Sequence, residues 1–325
     1  MKKAFFALLA LPAALIVMLA PLGQAQAKWP DKPVKIILPF GAGGVADVTS
    51  RIMAAKLSDK LGQQVIIENM PGPGGINAAR AVITAPPDGY TMALVTNGTS
   101  ISVAAFNKLP FDPVKDFSMV SMVGTFDLVF AVDAKSDFKT LQDFMTAAKA
   151  NPGKFNVGTV LLGGTQNLGA ELFKSMTGLN FQIVVYKNSP DIVVALSRND
   201  VQMMIDFPPA VQGQVNAGKI RLLATSSPER TGLLPNLPTV DEAGVKGYEV
   251  ISWNAVAAPK GTPKDVIEIM NKAMHEVLAS QELKAQFNKV GVEPHASTPE
   301  ELEARLTGDI KKWDAVIAKA HIPKK

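Results

Sequence analysis

The chain has 325 residues, 33 of them Lys or Arg, 29 Asp or Glu, three His and none Cys, for a net charge of +4. That length suits two domains with real cores, and 47% apolar against 19% charged residues excludes a disordered chain. The missing cysteines exclude a disulfide scaffold, a thiolate nucleophile, a cysteine-ligated metal and a cysteine-anchored lipoprotein, and the absence of any Lys/Arg block longer than two argues against a nucleic-acid partner.

Lys2 and Lys3 precede an apolar stretch over 4–20, and Ala25-Gln26-Ala27 forms a small-x-small cleavage site. The pattern predicts a signal peptide over 1–27, a mature chain starting at Lys28 with its charge lowered from +4 to +2, and a periplasmic location. No later run reaches 18 apolar residues. Strand candidates follow at 34–40, 64–68, 90–96, 118–123, 127–133, 155–160, 181–186, 201–206, 220–225 and 250–258. Helices are expected over 46–61, stopping before Gly62, and over 168–177, stopping before Gly178, with Leu168, Leu172 and Met176 as a core stripe. The tail reads as helix over 263–280, a shorter piece to 290, and a helix over 299–320 capped by Thr298.

Alternation of this kind predicts an α/β protein with two doubly wound, mainly parallel sheets. The pattern restarts: a strand runs into a glycine turn and helix at Gly41-Ala42-Gly43-Gly44, and again at Gly163-Gly164-Thr165. Two such units imply two domains whose helix starts face one cleft, joined by crossing segments near 126–131 and 251–257. The expected division is 28–126 plus 252–325 for the first domain and 127–251 for the second, with the C-terminal helices packing back on the first.

Gly41-Ala42-Gly43-Gly44-Val45-Ala46 matches the dinucleotide fingerprint, with Glu68 where a ribose-binding acid would sit. Export away from NAD and the run Asn69-Met70-Pro71-Gly72-Pro73-Gly74-Gly75 directly after Glu68 oppose that reading. A glycine turn at a helix N-terminus also suits any other anion, or is simply a tight turn. Asp47, in the first helical turn, reads equally as a helix-dipole partner or as a binding group. There is no G-x-S-x-G elbow and no H-E-x-x-H pair, and His275 falls on the polar side of its helix.

Pro39-Phe40-Gly41-Ala42-Gly43-Gly44 with Asp47 and Arg51 resembles the first signature of the Bug-type solute receptors of tripartite tricarboxylate transport systems. The glycine loop at 69–75, Pro87-Asp88-Gly89-Tyr90-Thr91, Gly164-Thr165-Gln166-Asn167-Leu168 and Pro259-Lys260-Gly261-Thr262-Pro263 continue the resemblance in order. It implies a two-domain periplasmic binding protein of the "Venus flytrap" kind, without catalysis or cofactor. Such a protein is a monomer that takes a small-molecule carboxylate from a cleft to membrane permease subunits. The resemblance carries the grips onto Phe40, Gly43, Gly44, Val45, Ala46 and Asp47 in one domain and onto Gly163, Gly164, Thr165, Gln166 and Asn167 in the other. Thr96, Asn97, Tyr186, Asp206 and Phe207, at later strand ends, complete the ligand-contact candidates. The chain departs from the pattern with Asn167 in place of His, Val160-Leu161-Leu162 in place of small residues, and Asn188 in place of Gly. These apolar departures, with Phe40, Phe126 and Phe207, favour a flat or apolar ligand body, aromatic rather than small and hydroxylated. The alternatives are an exported nucleotide-dependent enzyme and a carboxylate sensor for a signalling partner.

Overall fold

A computed structural model describes residues 29–324, so the signal-peptide reading lies outside the described residues. No helix among them is long and apolar enough to cross a membrane.

The chain begins with β1 (Val34–Leu38), α1 (Val45–Leu61), β2 (Val65–Asn69), α2 (Ile76–Ile83), β3 (Thr91–Thr96) and α3 (Asn97–Ala105). Two strands, β4 (Phe117–Asp127) and β5 (Val129–Asp133), then lead into α4 (Leu141–Ala150), β6 (Asn156–Val160), α5 (Thr165–Thr177), β7 (Gln182–Tyr186), α6 (Ser189–Ser197), β8 (Met203–Asp206), α7 (Pro208–Asn216) and β9 (Ile220–Thr225). It closes with β10 (Ile251–Pro259), α8 (Lys264–Leu278), α9 (Gln281–Lys289), β11 (Glu293–Pro294) and α10 (Pro299–Lys319). The first sheet has the order β11-β4-β10-β3-β1-β2 and the second β7-β6-β8-β5-β9.

Both sheets are mixed, a correction to the mainly parallel arrangement expected. The pairings β1–β2, β1–β3, β6–β7 and β6–β8 are parallel, while β10 against β3 and β4, β11 against β4, and β5 against β8 and β9 are antiparallel. The cause lies in the crossings. β3, β8 and β9 end at the boundary between the sheets: Thr96 pairs with Asn254, and Asp206 and Thr225 both pair with Val129. β5 and β10 start at that boundary, so they must run the opposite way. β1 and β3 in the first sheet and β6, β7 and β8 in the second therefore present their C-terminal ends to one region, where α/β sheets hold their ligands.

Local chemistry explains the helix limits. α1 stops at Gly62, whose φ of 70° is left-handed and whose N–H donates to Ser58 O at 3.0 Å. α10 opens on a reciprocal capping box, with Glu301 N donating to Thr298 Oγ1 at 3.1 Å and Thr298 N donating to Glu301 Oε2 at 2.9 Å. The buried stripe of α5 passes through Leu168, Ala170 and Phe173, whereas Met176 stands 40% exposed and is not part of the core.

The cores lie on both faces of each sheet. α8 and α9 pack back on the first sheet as expected, through Met270, Met274, Leu283 and Phe287. α10 does something else. Leu302 and Leu306 join the first-sheet core, while Trp313, Val316 and Ile317 join the second-sheet core together with Ile101 and Ala104 of α3. Buried polar bonds fix this bridge: Trp313 Nε1 donates to Asn97 Oδ1 at 2.8 Å, and Asn97 Nδ2 donates to Thr165 Oγ1 at 3.1 Å. Full burial of side chains this size stabilises by about 1.5–3 kcal/mol each.

The crossing itself carries acid. Asp127, the last residue of β4, is buried opposite Ile251, the first of β10. Burial pushes its carboxyl up to about 7, a Ser227 hydrogen bond opposes, and the charges of Glu293 and Glu249 push further upward.

Candidate functional site

Two turns stand where strands of the two sheets pass into helices. In the first, β1 ends at Leu38 and α1 begins at Val45, with Gly43 at φ 87° and Gly44 as N-cap at φ −79°, ψ 170°. In the second, β6 ends at Val160 and α5 begins at Thr165, with Gly163 at φ 75° and Gly164 as N-cap at φ −82°, ψ 171°. Positive φ at Gly43 and Gly163 is a conformation that side chains resist, so glycine is required by the backbone there. A Cβ added at Gly43, Gly44 or Gly163 would meet nothing within 4 Å, so all three leave room for a ligand against the main chain.

Each turn is pinned by the side chain four residues on. Gly43 N donates to Asp47 Oδ2 at 2.9 Å, and Gly163 N donates to Asn167 Oδ1 at 2.9 Å. The following N–H groups, of Val45 and Ala46 and of Thr165 and Gln166, have no intrahelical acceptor by helix geometry. Such a pair of helix starts is chemically suited to an anion.

The first turn has a charge network around the buried Asp47. Arg51 Nε donates to Asp47 Oδ1 and Oδ2 at 3.0 and 3.1 Å, and Asn69 Nδ2 donates to Asp47 Oδ1 at 2.9 Å and to Phe40 O at 3.1 Å. Arg51 Nη2 also donates to Asn69 Oδ1 at 2.8 Å. The Arg51 bond holds the Asp47 carboxyl down to about 2 against the opposing effect of burial, helped by Gly43 N–H and Asn69. Arg51 and Asn69 thus belong to the network of the first turn, although neither is in the candidate set. The Asp47/Arg51 spacing of one helical turn was the signal for Arg51; Asn69 had none beyond its glycine loop.

The second turn gathers most of the other candidates. Tyr186 ends β7 beside Val160, and burial followed by the Asp200 charge raises its hydroxyl pKa. Gln166 Nε2 donates to Asp206 Oδ1 at 3.1 Å, and Phe207 N donates to the same oxygen at 2.8 Å. Asn97 reaches Thr165 from the first lobe, and Thr96 caps α3, its N–H donating to Thr99 Oγ1 at 3.0 Å. Phe207 packs edge-on against Phe126 with centroids 5.0 Å apart, so these two rings meet each other at the crossing. Leu161 and Leu162 are 68% and 54% exposed and belong to no core; Leu161 holds φ 52°. Phe40 is exposed on the first turn. Among the described residues no hydrogen bond joins the two turns.

Glu68, the acid of the nucleotide reading, pairs with Lys35 at 2.7 Å. A pyrophosphate on the first turn would lie beside the ionised Asp47, which already uses Gly43 N–H.

Comparison with known proteins identifies the family and the fold. The family model described as "Tripartite tricarboxylate transporter family receptor" matches residues 49–322. Protein BugT of Bordetella pertussis is 32% identical over 291 residues, 89% of each chain. Among solved structures, R. palustris Rpa4515 with adipate is 33% identical with a TM-score of 0.76, covering 91% of this chain and 99% of that one. MatC (Rpa3494) from Rhodopseudomonas palustris with bound malate is 26% identical with a TM-score of 0.71, covering 89% and 100%.

Proposed function

The chain belongs to the tripartite tricarboxylate transporter receptor family, and we propose that it captures an organic carboxylate between its two lobes and delivers it to the membrane permease subunits of such a transporter. The observation that carries the reading is the pair of matching glycine turns, each opening a helix, one on each lobe. A carboxylate received by both turns gains about 0.3–1 kcal/mol from each helix end, up to ~2 where partly buried. Charge-assisted bonds to main-chain N–H groups add about 1.5–3 kcal/mol each before entropic costs. The adipate and malate held by the two structural relatives support acids of this general size. The ligand-contact residues are those of the two turns with Thr96, Asn97, Tyr186, Asp206 and Phe207, and exposed Leu161, Leu162 and Phe40 give the ligand an apolar flank.

In this reading residues 28–126 with 252–325 form one lobe and 127–251 the other, and 1–27 direct a monomer to the periplasm. Closure about the two crossings favours the ligand-bound population. The test is a thermal-shift panel of mono-, di- and tricarboxylates, aliphatic and aromatic, with NAD as control. A rise with at least one acid and a smaller radius of gyration by small-angle scattering are expected. A rise with NAD and none with any acid would overturn the reading in favour of an exported nucleotide-using enzyme.

A further inference from the structure

We infer that the ligand carries a hydrogen-bond donor, hydroxyl or ammonium, near its carboxylate, and that Asp206 is the residue that receives it; this rests on the carboxylate-receptor reading. Asp206 ends β8, opposite Val129 at the crossing, and is 1% exposed. Its Oδ1 is used by Gln166 Nε2 at 3.1 Å and Phe207 N at 2.8 Å, which ties the carboxylate to the first turn of α5. Its Oδ2 is buried without any partner. A carboxylate accepts and does not donate, and a buried charged oxygen left unpaired is costly enough that native structures supply a reason for it.

The surroundings narrow what that reason is. Arg51, the cation of the first turn, is committed to Asp47 and Asn69. The second turn is pinned by a neutral amide, and the residue one helical turn beyond it is Glu171. A second carboxylate placed toward Asp206 would meet like charge. A hydroxyl or ammonium would complete Oδ2, which is screened from water in this form, so the donor has no solvent competitor there. Gln166, half-buried at the start of α5, holds Oδ1 and leaves Oδ2 to the ligand. The exposed leucines on the same turn set the ligand's flank, and Asp206 sets its polar substituent; the two preferences are independent. The apolar, unhydroxylated body expected from Leu161 and Leu162 alone is therefore incomplete.

Two ligand series that differ only in the donor provide the test: succinate, malate and aspartate; phenylacetate, mandelate and phenylglycine. Calorimetry at neutral pH should show the hydroxyl or ammonium member of at least one series binding roughly 10- to 150-fold tighter than its donor-free parent, the factor that one charge-assisted bond supplies. In Asp206→Asn, which keeps an acceptor for Gln166 and Phe207 but presents an amide donor, the preference should fall to within about threefold. Donor-free acids binding as tightly as their substituted partners in both series would overturn the inference while leaving the carboxylate receptor intact. Binding of none of the six acids, nor of any acid in the wider panel, would remove both. Should Asp206→Asn fail to fold, the wild-type series decides alone.

Discussion

The two βα turns share a backbone and differ in charge. Their N-cap angles agree within a few degrees, and each has a left-handed glycine whose N–H is held at 2.9 Å by the side chain at the third helical position. In the first that side chain is ionised Asp47, neutralised one turn later by Arg51; in the second it is Asn167, followed one turn later by Glu171. An oxygen acceptor is what the fold needs at this position, and either an acid or an amide supplies it. The ion pair makes the first turn self-compensated in charge. The second, among the described residues, has no ion pair of this kind: Asn167 is neutral, and the neighbouring Gln166 is tied to the Asp206 carboxylate.

Glycine substitutions should break the symmetry most strongly. Gly44→Val adds a side chain into open space at an ordinary φ of −79°, so melting should stay near wild type while calorimetry shows carboxylate binding lost. Gly164→Val places its Cβ 2.9 Å from Leu161 O, so this variant should lose both binding and melting temperature. Normal binding by Gly44→Val would mean that the first turn is not a grip. A smaller effect is expected from Asn167→Asp. It keeps the acceptor for Gly163 but adds a charge facing Glu171, and affinity for a carboxylate should drop on the order of tenfold, with salt reducing the loss.

The crossing between the turns responds to pH in the opposite sense from the first turn. Asp127 is raised to about 7 from 3.8, so between those values the folded chain holds a proton that the unfolded chain has released. Its contribution to stability therefore falls as pH rises from about 4 to 7 and is lost above that. Asp127→Asn should be more stable than wild type by on the order of 1–3 kcal/mol at pH 8, with the gap closing toward pH 4, as read by denaturant titration. Asp47 works the other way, its stabilisation present above 3.8 and lost as pH falls toward about 2. The smallest expected change is at Leu161, which holds φ 52° while 68% exposed. Leu161→Gly relieves left-handed strain and should stabilise by about 0.5–1 kcal/mol, while weakening acids with an apolar flank.

Much of this was legible in the residues. Periodicity located the strands within a few positions, and Gly62, Gly178 and Thr298 marked helix limits where the backbone has them, because those signals are local. α3 was not foreseen: Asn97-Gly98-Thr99-Ser100-Ile101-Ser102 has poor helix formers, and the segment is held by the Thr96–Thr99 box and by packing on α10. β11 is two residues long and exists through its pairing with β4. The mixed sheets depart from the expected parallel arrangement because strand direction depends on where the chain crosses, and composition does not encode that. Both glycine turns could be read as a motif, but the ion pair that separates them could be read only in part, and the open valence on Asp206 not at all.

α10 finishes both cores. Leu302 and Leu306 close the packing on one sheet, and Trp313, Val316 and Ile317 close it on the other. A chain emerging N-terminus first therefore cannot complete either lobe when that lobe's own strands appear; both wait for residues beyond 300. Completion of both cores then depends on the arrival of one late segment. The same coupling makes the helix a poor place to trim: removing the turn around Trp313 would strip the keystone from the second lobe while leaving all of its strands present.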